Sequence, residues 1–433
     1  MSTMRPFQII VISLFAVAAL GGLLLFATFK GFGTAKPVGA VVIWGTLSAD
    51  AVLPAISELK RVHEEFKSVT YEEREAATFD TDLADALASG AGPDMIMTNQ
   101  EWLLAQANKL SVIPFSQISE RTFRDSYLPI DDIFLSDTGT YGIPFAVDPL
   151  VLYYNRTRLA SANIPQVPTS WEGIMGVTPN LTTRTDAGVI VKSALPLGTY
   201  DNVDNARGIL SLLLLQSGNA ISARTTGQLR SSLASGENAA SGVSAAESSI
   251  SFYTQFADPE KIVYTWNRSL PDSHDAFIAG DSALYLGYAS QRVFIAAANP
   301  NLDFDIAPVP QPETATTRVN YALAYAFAIP KGSGNATGAL RAARLLASVE
   351  LAPQLLDGLG MAPAARALLS PAKSDIDTPV IYPAALIARG WLSPAPAATD
   401  RIFAGMITAI ISGRMSVHDA LTTADQSLNA ALR

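Results

Sequence analysis

The 433-residue chain has no cysteine and only three histidines. Without thiols it can form no disulfide, offer no thiolate nucleophile and carry no lipid on an N-terminal cysteine. His63, His274 and His418 lie far apart in sequence, which argues against a zinc site. Charge is scarce as well: Asp, Glu, Lys and Arg make up 16% of the residues, and the formal net charge is −9. That balance argues against nucleic acid, whose partners present a basic stripe. A nucleophile-elbow motif, a phosphate-cradling glycine loop and internal repeats are also missing, so the sequence calls for neither a cofactor nor a metal.

What the chain does have is one long apolar run. Ile9 to Phe29 carries no charge and is bounded by Arg5 and Lys30. As a helix it would span roughly 30 Å, the hydrocarbon thickness of a bilayer. A secretory signal peptide has a shorter apolar core and a small-x-small cleavage site. Here Ala27-Thr28-Phe29 ends in a bulky residue, and Gly33-Thr34-Ala35 is poorly placed. The expectation is one uncleaved N-terminal transmembrane helix, with residues 1–35 as anchor and tether; a cleaved signal is the alternative. Arg5, Lys30 and Lys36 do not settle its orientation.

Beyond the tether, strand and helix patterns alternate. Val41–Trp44 reads as a strand ended by Gly45. Ser48 or Asp50 can cap a helix with Val52, Leu53, Ile56, Leu59, Val62 and Phe66 on its apolar face. Val69–Tyr71 reads as a second strand, Asp80–Ser89 as a helix and Met95–Met97 as a third, buried strand. This order implies a parallel sheet with right-handed crossovers. Ligands of such sheets bind beyond the carboxyl ends of the strands. That rule selects Trp44-Gly45-Thr46 and Thr98-Asn99-Gln100-Glu101-Trp102.

The most informative stretch is Tyr141 to Asn155. Gly142 and Pro144 argue against a helix, Leu150–Tyr154 reads as a strand buried on both faces, and Pro149 biases Asp148 to an extended conformation. A carboxylate in such company needs a partner or water. Downstream, Ser170 in Pro168-Thr-Ser170 caps a helix beginning at Trp171, and Asn205–Gln216 is an apolar helix. Ser217–Ser249 reads as a loop running into a helix that ends near Phe256. Asp275 to Tyr288 gives a helix, a glycine stop and a strand. Phe304–Pro310 and Tyr321–Pro330 read as strands, and Thr337–Leu346 and Ile402–Ile411 as helices. Ser416 with Asp419 opens a last helix.

Tyr141–Asn155 resembles the hinge-crossing segment of extracellular solute-binding proteins, the receptors of ABC importers for sugars and related compounds. Pro168–Trp171, Asp275–Ser290, Phe304–Pro310 and the turn Gly358–Arg366 are similar to later segments of that family, in the same order. The resemblance implies an α/β, two-lobed periplasmic-binding-protein-like fold of type II, each lobe a mixed, mostly parallel sheet flanked by helices. It places lobe one at residues 38–146 plus 307–355 and lobe two at 147–306 plus 356–433. It further implies a monomer outside the cytoplasm that passes a small-molecule ligand, a mono- or oligosaccharide, to the membrane subunits of an ABC permease.

A sugar offers hydroxyls and apolar ring faces, so its cleft combines aromatic plates with polar side chains. The candidates are Trp44 and Thr46; Asn99, Gln100, Glu101 and Trp102; Asp148; Tyr288 and Ser290; and Tyr321 and Tyr325. Each has a plainer reading. Trp44 can plug the core, Trp102 can be the first buried residue of a helix, and Tyr325 can point into the sheet. Trp171 reads as packing. Trp266 is not placed, and Trp391, after Gly390, has the reach of a cleft residue. Two other functions share the pattern: a ligand sensor of the same fold, and a glycosidase-like hydrolase using Asp148 and Glu101.

Overall fold

The computed structural model describes residues 38–225, 227–234, 244–369 and 378–433. The expected anchor, 1–35, lies outside the described residues. Among those described, no helix is long and apolar enough to cross a membrane.

The first part of the chain follows its periodicity. β1 (Val41–Gly45), α1 (Ala49–Val62), β2 (Val69–Glu73), α2 (Phe79–Ala88), β3 (Met95–Asn99) and α3 (Gln100–Gln106) come in that order. β1 lies between β2 and β3 and pairs in parallel with both, as helical crossovers require. The buried stripe of α1 is narrower than expected. Val52, Ile56 and Leu59 face the core, but Leu53 is 41% exposed and Val62 53%. One residue is about 100° of helix, so Leu53 cannot share the face of Val52. Phe66 is buried, but on a separate short turn beyond α1. Ser48 occupies the N-cap without bonding through its side chain. Glu73 caps the helix instead, accepting from the Ala49 N–H at 2.7 Å.

β4 (Gly142–Asn155) is one continuous strand that passes through both of its prolines. Pro144 lies opposite Ala326 where the ladder slips register, a place where a missing N–H costs least. Next come α4 (Trp171–Leu181), α5 (Ala206–Gln216), α6 (Ala245–Thr254), α7 (Ser273–Ile278), β5 (Leu284–Tyr288), α8 (Gln291–Ala298), β6 (Phe304–Ala307), β7 (Asn320–Ala328), α9 (Ala336–Leu346), α10 (Pro396–Ile411) and α11 (Val417–Ala431). Two of these regions differ from the sequence reading. The stretch read as a loop, Ser217–Ser249, contains an antiparallel hairpin in which Ser222–Thr225 pairs with Gln228–Ser231. Helix α10 begins at Pro396 rather than Ile402, because proline suits the first helical position.

β7 joins the two sides of the molecule. It pairs antiparallel with β3 through Tyr325–Ala328 and with β4 through Ala322–Ala328. The far end of β4 pairs with β5 and β6. The sheet therefore runs β5-β4-β7-β3-β1-β2, with β6 also on β4. Helices α5, α6, α10 and α11 pack on one another to form the helical side.

β7 loses its β3 partner at Tyr325, and a side chain takes over from there. Fully buried Gln100 donates its amide to the Ala322 carbonyl and accepts from the Ala324 N–H, both at 2.7 Å. Both of its polar atoms are spent on the backbone. Gln100→Leu would strand these two backbone groups in the interior and should destabilise the fold by about 2–4 kcal/mol. Denaturant unfolding of the variant against wild type measures this, and an unchanged midpoint would show the two groups find water.

Candidate functional site

Of the residues selected by the strand-end rule, Glu101 is the one placed where the two sides meet. Asn99 caps α3 by accepting from the Glu101 N–H at 3.0 Å, which fixes the first turn and turns the Glu101 side chain toward α5. Arg207, in the first turn of α5, meets it with a two-pronged fork: Nε to Oε1 at 2.9 Å and Nη2 to Oε2 at 2.6 Å. The Tyr321 hydroxyl donates to the same Oε1 at 2.9 Å. The remaining arm of Arg207 reaches Asp400 of α10 at 2.6 Å, and Tyr200 donates to Asp400 at 2.5 Å. The Glu101 side chain is 4% exposed and that of Arg207 21%.

A second cluster lies at the middle of β4. Asp148, opposite Leu323 of β7, accepts from the Ser290 N–H at 3.1 Å and the Ser290 hydroxyl at 2.6 Å. Tyr288, two residues before Ser290, ends β5 and is half-buried. A Cβ at position 208 would come within 2.6 Å of the Tyr288 hydroxyl, so the glycine there lets α5 approach the ring. Tyr200, Arg207, Gly208, Tyr288, Asp400 and Arg401 all border one cavity of about 620 Å³.

Burial and charge set the ionisation of this region. Burial alone would lower the Arg207 pKa, but the charges and hydrogen bonds of Glu101, with the charge of Asp400, lift it well above the ordinary arginine value. Burial, then Glu101, pushes the Tyr288 and Tyr321 hydroxyls well above the usual tyrosine range. Arg207 thus stays cationic and both tyrosines stay neutral donors. Burial also raises Asp148 to about 7, against the pull of its bonds from Ser290.

The other candidates stand further back. One face of Trp44 is covered by the Arg74 guanidinium, 3.7 Å from the ring centroid, and the residue is buried. Thr46 is half-buried after β1. Trp102 is half-buried and leans on Phe79, with ring centroids 6.3 Å apart. Tyr325 is buried and tilted against Phe145. Asn99 and Gln100 bind backbone groups. Trp391 does not reach the cleft: it is buried, donates to the Ser211 hydroxyl at 3.0 Å and stacks on Phe403. Sequence reasoning missed Arg207, Asp400 and Tyr200. The one available signal was Arg207 itself, the single charge in an otherwise apolar helix.

The model of the bacterial extracellular solute-binding protein family matches residues 60–352. The chain belongs to that family. No curated protein matches it in sequence. Solved structures do. An ABC transporter solute-binding protein from Thermotoga lettingae, bound with α-D-tagatose, is 18% identical at a TM-score of 0.69, covering 91% of this chain and 100% of its own. A cyclo/maltodextrin-binding protein complexed with maltotetraose is 16% identical at 0.71, covering 93% and 98%. The GacH receptor of Streptomyces glaucescens, solved unliganded and with acarbose, is 16% identical at 0.70, covering 91% and 98%. At these identities the likeness shows the fold. This solute-binding protein therefore has the two-lobed α/β architecture, and its two polar clusters lie where the parallel-sheet and helical sides meet.

The raised pKa of Asp148 makes the stability of this solute-binding protein pH-dependent. An unfolded aspartate titrates near about 3.9, so the folded chain holds the extra proton between there and about 7. The contribution is complete below the lower value and is lost as the pH rises through the upper one. Asp148→Asn can keep both contacts if the Ser290 hydroxyl turns to accept. It should match wild type near pH 4 and exceed it at pH 8 by about 2–4 kcal/mol. Unfolding at pH 4, 6 and 8 tests the sign; a variant weaker than wild type at pH 8 would mean the charged form is the better satisfied one.

Proposed function

We propose that this solute-binding protein is the substrate-capture component of an ABC importer. It holds a carbohydrate between lobes formed by residues 38–146 with 307–355 and 147–306 with 356–433. The observation that carries the reading is the junction of the two sides. Hydroxyls and carboxylates converge there beside the half-buried ring of Tyr288, and Arg207 offsets much of the acidic charge. Such a surface suits a neutral ligand rich in hydroxyls, with an apolar face for the ring. Tagatose, maltotetraose and acarbose in the similar structures support the same class. Of the residues expected to line the site, Glu101, Asp148, Tyr288, Ser290 and Tyr321 are the ones proposed to meet ligand or to orient those that do. Binding without turnover is proposed, since Glu101 is held by Arg207 and Asp148 by Ser290.

A thermal-shift survey of the purified chain against sugars, polyols, amines and peptides tests the class. A ligand at a hundred times its Kd stabilises by about 2.7 kcal/mol. Stabilisation by an amine or peptide but by no sugar or polyol would overturn the carbohydrate reading. For a sugar that binds, Tyr288→Ala should weaken affinity by about 1–3 kcal/mol without unfolding the protein. Loss of the fold with affinity intact in the remainder would make Tyr288 a packing residue.

We also propose that the uncharged run Ile9–Phe29 is retained as a membrane anchor that keeps the lobes outside the cytoplasm and near the permease. Intact-mass measurement on membrane-extracted native protein should find the run present. A mature N-terminus between Thr28 and Val41, on protein released by a salt wash, would show a cleaved signal instead.

A further inference from the structure

The fork between Arg207 and Glu101 crosses the junction. Glu101 stands on α3, immediately after β3 of the parallel sheet, while Arg207 stands on α5, which packs with α6 and α10 on the helical side and also lies against β7. The pair is bidentate, nearly dry on the Glu101 side, and reinforced by the Tyr321 hydroxyl. Asp400 holds the other arm of Arg207 from within the helical side, so the guanidinium is anchored at one end and reaches across with the other. Oε1 of Glu101 accepts two of these bonds and Oε2 one, and Tyr321 beside it is fully buried.

We propose that Arg207 is a positioning residue that ties the helical side to the parallel-sheet side. The proposal rests on the binding reading above but deepens it: it assigns control of the cleft to one residue. A fork–fork ion pair is suited to the role. It is strong when the geometry is met and lost altogether when the partners separate, because one guanidinium supplies both bonds in a fixed plane.

The chain has no cysteine, so two introduced ones report on the distance between the sides without background. Val62, exposed at the end of α1, and Met415, exposed between α10 and α11, serve as labelling positions. Spin labels on Val62→Cys and Met415→Cys in the full chain, with no sugar added, should give a narrow distance distribution. Arg207→Met should shift it to longer distances and broaden it. Arg207→Lys, which keeps the charge but not the fork, should fall between. Because Arg207→Met leaves the Glu101 charge buried without a cation, the double variant Arg207→Met with Glu101→Gln is measured as well. It should retain the far-ultraviolet circular dichroism of wild type and the longer distance.

Asp400→Asn, which removes the charge that holds Arg207 and Tyr200 within the helical side, should leave the distance as in wild type. If the folded double variant keeps the wild-type distribution, or if Asp400→Asn lengthens it as much as Arg207→Met does, the tie across the junction is refuted. None of these measurements uses a sugar. A failed carbohydrate survey with the expected distances would overturn the ligand class alone, and sugar binding with unchanged distances would overturn the tie alone.

Discussion

The backbone of β4 belongs to two sheets' worth of partners. From Gly142 to Pro149 its hydrogen bonds go to β7 and, at Ala146–Val147, to Ala362–Pro363; from Leu150 to Asn155 they go to β5 and β6. Buried amides and carbonyls must be paired, so neither side of the molecule is complete without this strand. Where the partner changes, regular pairing fails and side chains fill the gap. Asn320 donates to the Leu150 carbonyl, Gln100 serves Ala322 and Ala324, and the Ala289 N–H reaches the Pro149 carbonyl. Polar residues therefore gather at the crossing for a backbone reason first. Asp148 and Ser290 sit in that polar zone.

The charged network beside it has a different origin. Removing ions from water costs several kcal/mol each, and a buried pair gains little over apolar packing even when its geometry is good. Glu101 with Arg207 and Asp400 is therefore poorly explained as a device for stability. It makes more sense as a device for place. A bidentate fork fixes the distance and plane between α3 and α5, which helix packing alone leaves loose. Asp148 shows the contrast. It is held by the hydroxyl and amide of Ser290 rather than by a cation, and burial lifts its pKa accordingly.

Much of this fold was legible because its signals are local. The run β1-α1-β2-α2-β3 follows from apolar spacing, and the capped starts of α4 and α11 at Ser170 and Ser416 follow from single residues. The strand-end rule selected the loop after β3 but did not separate its polar residues by where they point. The rule speaks of backbone, and at a helix start each residue points about 100° from the last. Gln100 thus faces β7 and Glu101 faces α5, although they are neighbours. Arg207 was not legible as the partner of Glu101, nor Asp400 as the partner of Arg207, the two pairs being 106 and 193 residues apart with no spacing to connect them. Only the folded chain brings them together.

The aromatic residues divide in a way that composition could not show. Trp44 and Trp102 were expected beside the tyrosines as plates for a sugar ring, and Trp171 as packing. Arg74 covers Trp44, Trp171 donates to Gln216, and Trp391 donates to Ser211 against Phe403. Indole carries a large apolar body and a single donor, so once that donor finds a buried acceptor the whole side chain is gained by the core. Tyrosine has a smaller ring and a hydroxyl that both donates and accepts. At the junction that versatility is used: Tyr321 and Tyr200 donate to the carboxylates that grip Arg207. Tyr288 differs from the fully buried Tyr321: like Tyr200 it is half-buried and borders the cavity, and it stands against a glycine that leaves room for its ring. At the junction the hydroxyls of Tyr321 and Tyr200 hold the carboxylates in place, while the role proposed for Tyr288 is to present a ring face.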